Sequence, residues 1–153
     1  MQYNTIPIIN VIGIHVRCGD YNKLVDTSLH ANMLWYKTII EGINSLTNNS
    51  YKFWLFSDGT DDELRELTAI DNVEKKFFGN AIGDIIALSK TRMIIGSPST
   101  FSGWGAYLGQ VPIIFPKREF SRVLIDIEKE TVIEDPALFF KNSKNWFVQN
   151  GIL

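Results

Sequence analysis

Apolar and polar positions along this chain switch between two periods, and the switching lays out its elements. Residues 8–16 are nearly continuous in Ile and Val, the pattern of a strand covered on both faces. Residues 21–30 are polar without a period and predict a loop. From 34 to 46, Tyr36, Ile39, Ile40, Ile43 and Leu46 recur at helical spacing and predict one apolar stripe, which Thr47-Asn48-Asn49-Ser50 ends with turn chemistry. Residues 51–56 predict a second strand, aromatic-rich and closed by Ser57-Asp58-Gly59. Thr60 and Glu63 have the spacing of a capping box for a helix reaching about Thr68.

The same alternation continues. Residues 73–78 predict a short third strand, Gly79-Asn80 a turn, and Ile82, Ile85, Ile86, Ala87 and Leu88 a short helix beginning near Asp84. Residues 93–95 predict a fourth strand, which ends in Gly96-Ser97-Pro98-Ser99-Thr100. A Gly-containing helix over 101–108 and a fifth strand over 111–115, closed by Pro116, complete the regular part. Gly103 and Gly105 would let that helix pack closely or admit a ligand. In the tail, 123–127 alternates, 136–140 suits a helical turn, and Trp146 and Phe147 are expected to dock on the body. Strands alternating with helices imply right-handed βαβ crossovers, and so an α/β Rossmann-like doubly wound parallel sheet over a single domain, 1–153.

Composition narrows the picture without changing it. The chain has 153 residues, 45% apolar and 12% aromatic, enough for one real core. Fifteen basic and 17 acidic residues leave a net charge of -2, which disfavours a nucleic-acid groove. One cysteine, Cys18, excludes an internal disulfide, and with only two histidines there is no structural zinc set of the usual kind. No apolar run approaches the ~20 residues of a membrane span, and no basic-then-apolar leader opens the sequence. These features predict a cytoplasmic protein.

Candidate chemistry gathers at three strand ends: His15 to Asp20, Ser57-Asp58-Gly59, and Gly96 to Ser102. In a parallel sheet these ends share one edge, where open α/β folds bind ligands. Arg17 offers a cationic fork suited to phosphate oxygens. Ser97-Pro98-Ser99-Thr100 before a helix offers hydroxyls and free N–H groups to an anion, although it serves equally as an ordinary N-cap. Asp84 either caps its short helix or accepts N–H groups of a guanine edge. Taken singly, Arg17 also suits a surface ion pair and Ser57-Asp58-Gly59 a plain turn. Cys18 beside Arg17 reads as a bystander, and His30 as a structural or surface residue. There is no P-loop, and the first strand does not open into Gly-x-Gly-x-x-Gly, so an ordinary dinucleotide site is not expected.

Three ordered segments resemble the GDP-fucose-dependent fucosyltransferases, namely the bacterial α-1,2-fucosyltransferase family with its α-1,6 and protein O-fucosyl relatives. His15-Val16-Arg17-Cys18-Gly19-Asp20 is similar to the family's His-x-Arg-Arg-x-Asp, with Cys18 in place of the second Arg. Phe56-Ser57-Asp58 is similar to its strand-end Phe-Ser-Asp. The third segment runs from Asp84 through Leu88-Ser89 to Ser99-Thr100-Phe101-Ser102-Gly103-Trp104-Gly105-Ala106, and it carries the most specific likeness. The resemblance covers about residues 8–117. It implies the donor-binding half of a GT-B glycosyltransferase, with no cofactor or metal and with a nucleotide sugar and a glycan acceptor as partners. The family's acceptor-binding half would precede residue 15 or come as a separate domain. Carried over, Arg17 would be the catalytic group at the leaving phosphate, and His15 and Asp84 would contact guanine and ribose. Ser99, Thr100 and Phe101 would hold the diphosphate, and Asp58 would shape the pocket. Asp20 and Asp26 are the acids in range to act as general base. The implied reaction is an inverting transfer of fucose to a glycan hydroxyl; the alternative is a non-catalytic nucleotide-sugar-binding or interaction module on the same fold.

Overall fold

A computed structural model describes residues 10–20, 32–117, 122–142 and 144–153. Among the described residues, six strands form one parallel sheet: β1 (Val11–Val16), β2 (Lys52–Ser57), β3 (Val73–Lys75), β4 (Ile94–Ile95), β5 (Ile113–Phe115) and β6 (Glu130–Val132). Their order across the sheet is β3-β2-β1-β4-β5-β6. The helices are α1 (Met33–Thr47), α2 (Arg65–Thr68), α3 (Ala81–Leu88), α4 (Thr100–Gly109), α5 (Pro136–Asn142) and α6 (Lys144–Gln149). This is the doubly wound Rossmann-like order, in which the chain first builds outward from β1 through β2 to β3. It then returns through α3 to the other side of β1. The reversal leaves a crevice beyond the ends of β1 and β4.

Because side chains alternate along a strand, each strand feeds two cores. Ile12, Ile14 and Val16 join α1 in the larger cluster, with Phe53, Leu55, Ile95 and Phe147. The other parity faces α3 and α4: Phe56, Ile94, Ile113 and Phe115 pack with Leu88 and Ala106. Each fully buried Ile or Phe among them contributes about 1.5–3 kcal/mol. The parity has a functional consequence, since His15 stands between Ile14 and Val16 and so lies on the α4 side. Gly105 serves helix packing, because a Cβ there would sit 2.9 Å from Leu88 Cβ.

The structure departs from the sequence expectations in several places. The first strand begins at Val11, and the expected loop over 21–30 lies outside the described residues. The third strand stops at Lys75, short of Phe78. The α3 helix starts at Ala81, three residues before Asp84, because Asn80 caps it by accepting from the Gly83 amide at 2.8 Å. Thr60 and Glu63 do bond reciprocally, at 2.8 Å (Thr60 N–H to Glu63 Oε2) and 3.2 Å (Glu63 N–H to Thr60 Oγ1), but a turn follows and α2 begins only at Arg65. A sixth strand, β6, pairs parallel with β5 where the tail read as irregular. It opens on Glu130, a buried carboxylate that accepts the Val123 and Leu124 amides at 3.0 and 3.3 Å. A charged residue fixed in this way does not show as a strand in a hydropathy pattern. Phe147 is buried as expected, stacked 5.5 Å from Phe140.

Candidate functional site

Parallel pairing of β1 with β2 sets His15 beside Phe56 and Val16 beside Ser57, so their polar strand ends meet. The Asp58 carboxylate accepts the Cys18 amide at 2.7 Å, which ties the turn after β2 to the end of β1. Gly19 is required there, since a Cβ at that position would collide with Asp58 Oδ2. Cys18 is fully buried, and its Sγ lies 3.9 Å from Ser57 Oγ. Behind it, burial pushes the Tyr36 hydroxyl pKa upward, with Cys18 adding to the shift, so the phenol stays protonated.

On the opposite flank, His15 crosses the β1/β4 switch point. Its Nδ1 lies 2.7 Å from Ser102 Oγ on α4 and 2.8 Å from Ser97 Oγ after β4. Ser102 Oγ also accepts the Ser97 amide at 3.2 Å. The imidazole stacks on Phe101 at 4.5 Å between centroids. Burial lowers the His15 pKa to about 3, against an upward pull from the Asp58 charge, and the Arg17 charge lowers it further. The ring is therefore neutral at physiological pH. Nδ1 serves the two serine hydroxyls.

Arg17 follows one strand step later and is half-buried. Its Nε and Nη2 donate to the two Asp20 carboxylate oxygens, both at 3.0 Å. This exposed pair holds the guanidinium in a planar, forked orientation at little net energy, so a phosphate can displace the carboxylate.

Five of the sequence-predicted residues come together. His15, Arg17, Asp58, Asp84 and Phe101 line one open cleft of about 290 Å3 at the carboxyl edge of the sheet. Asp84 has a structural task as well, since its Oδ1 accepts the Phe78 amide at 2.7 Å. Ser99 and Thr100 are not among the lining residues. Ser99 is buried, with its hydroxyl accepting the Phe101 amide at 3.1 Å as the N-cap of α4, while Thr100 is exposed on the first turn. Asp20 lies outside the lining on its ion pair, and Asp26 and His30 lie outside the described residues. Sequence reasoning missed Ser97 and Ser102 as partners of His15, and also missed Phe77 and Ala81 in the cleft wall. A serine on the buried, Gly- and Ala-rich face of α4 was the available signal for Ser102.

Fold and cleft together define a Rossmann-like domain whose crevice is lined by a guanidinium, a neutral imidazole and aromatic side chains. The family comparison is more particular. The model of Glycosyl transferase family 11 matches residues 1–116. The chain belongs to glycosyl transferase family 11. No curated protein matches it significantly. Among solved structures, it resembles the crystal structure of the glycosyl transferase family 9 from Veillonella parvula DSM 2008, with a TM-score of 0.52 and 12% sequence identity. That likeness supports the fold alone; it covers 94% of this chain and 42% of the other, so the chain spans under half the length of that protein. No helix among the described residues is long and apolar enough to cross a membrane.

Proposed function

We propose that this domain binds GDP-fucose and takes part in an inverting transfer of fucose to a glycan hydroxyl. One observation carries the reading: in a family 11 chain, His15 and Arg17 at the end of β1, Asp58 after β2, Asp84 on α3 and Phe101 on α4 converge on one cleft. In the proposed reaction the acceptor oxygen attacks the anomeric carbon as the bond to the β-phosphate oxygen breaks. The bonding pair leaves on the phosphate, and Arg17 meets the charge as it develops. His15, kept neutral, donates from Nε2 without adding a second buried charge. Asp84 and Phe101 bound the base and ribose side, and Asp58 keeps the β1 turn in place through the Cys18 amide.

Ser99 contributes by fixing the start of α4, and Thr100 presents its hydroxyl from the first turn of that helix. The acceptor's proton needs a base; Asp20 reaches that role only after leaving Arg17. A partner half that binds the acceptor is part of the proposal. The burial of Cys18 favours the second reading, a binding module without turnover, because the position where the family has a second Arg supplies no cation to the cleft.

Thermal melting tests the binding reading. GDP and GDP-fucose should raise the melting temperature while UDP-sugars and NAD leave it unchanged; equal shifts for all, or none for GDP, would sink it. Release of GDP from GDP-fucose only when a β-galactoside acceptor is added separates the enzyme from the module.

A further inference from the structure

Phe77 is 72% exposed, yet it lines the polar cleft together with Ala81 and Asp84. Its backbone is firmly held. The Lys76 amide continues the sheet by donating to Leu55 O at 2.9 Å. Two residues on, the Phe78 amide donates to Asp84 Oδ1, and the Phe78 ring packs 5.6 Å from Trp54 and 6.0 Å from Phe56. Asn80 then caps α3. A short strut fixed on both sides therefore carries one large ring into a ligand cleft, and nothing in the core requires that ring to be there.

Sheet order gives the ring its place relative to the phosphate group. The strut follows β3 and Arg17 follows β1, with β2 between them. Two strand spacings come to about 10 Å, the scale that separates a nucleobase from its 5′-diphosphate. Ala81, the first residue of α3, leaves room beside the ring where a bulkier side chain would fill the wall.

We propose that Phe77 is the stacking platform for the base of the bound nucleotide, with Asp84 as the positioning residue that holds its strut. This rests on the nucleotide reading above and deepens it by naming what grips the base. Stacking on an aromatic side chain tolerates any base, so Phe77 supplies affinity while the acidic group beside it supplies choice.

Binding calorimetry with GDP and with inorganic pyrophosphate tests the proposal on the wild type, Phe77→Ala and Phe77→Trp. Phe77→Ala should weaken GDP about tenfold and leave pyrophosphate unchanged, and Phe77→Trp should restore GDP binding. Because Phe77 is exposed, the unliganded variants should melt like the wild type. A Phe77→Ala protein that binds GDP as well as the wild type overturns the platform. So does one that loses GDP and pyrophosphate equally, or a failure of Phe77→Trp to rescue. Wild type that binds no GDP overturns the nucleotide reading itself, and is distinct from all of these.

Discussion

Two clefts of similar size lie at opposite ends of the sheet. At the amino-terminal end, a cleft of about 320 Å3 is lined by Thr91, Arg92, Gln110, Asp126 and Lys129 among others. The carboxyl-end cleft is slightly smaller, about 290 Å3. Volume does not separate them; bonding does. In the amino-end cleft the polar groups are spent on closing the tail. Arg92 donates to Gly151 O, Lys129 Nζ to Gln110 O at 3.1 Å, and Asn150 Nδ2 to Glu128 O at 3.3 Å. Thr91 Oγ1 turns back on Leu88 O and Met93 O. In the carboxyl-end cleft the hydrogen bonds run behind the wall instead. They fix His15, Asp58 and the Phe77 strut, while His15, Arg17, Phe77 and Phe101 line the opening. A site differs from a seam in where its bonds point.

The strongest way to break that contrast is Arg17→Ala. Charge-assisted bonds to phosphate are worth about 1.5–3 kcal/mol, so GDP affinity measured by calorimetry should fall roughly ten- to hundredfold. An unchanged affinity would remove Arg17 from the phosphate end.

The next effect concerns His15. Its pKa, lowered from 6.5 to about 3, means that between those values the unfolded chain binds a proton which the folded chain refuses. Stability is then fully present above pH 6.5 and is lost as pH falls toward 3, by up to about 1.4 kcal/mol per pH unit in that window. Urea unfolding at pH 7 and pH 4.5 should show the loss, and His15→Asn should flatten part of the slope. A slope identical in the variant would contradict the buried neutral imidazole.

The smallest effect is expected at the seam. Arg92→Ala removes one exposed bond to the tail and should lower stability by no more than about 1 kcal/mol, with GDP affinity unchanged. Nucleotide binding that fell with Arg92 would reverse the assignment of the two clefts.

The sequence made the carboxyl-end half of the contrast legible. Continuous Ile and Val in β1, aromatic β2 and the helical stripe of α1 each follow one hydrophobic period, and the order of elements then brings their ends together. The motif residues stood out because polar clusters directly followed apolar strands. What stayed hidden was set by contacts distant in sequence. Ser102 belongs to the site because strand parity turns His15 toward α4, across 87 residues of separation. Glu130 begins a strand because two backbone amides neutralise its burial. Ser99 read equally as a ligand group or an N-cap, and the structure shows its hydroxyl capping α4. Phe77 read as a strand residue because the pattern could not show β3 ending at Lys75.

Hydrogen exchange of the full chain with and without GDP tests the central assignment most directly. The account predicts slowed exchange at the amides around residues 77–84 and 97–103, which border the carboxyl-end cleft, and none at 109–112 or 127–129. Protection confined to the amino-end segments, or no protection at either end, would contradict it.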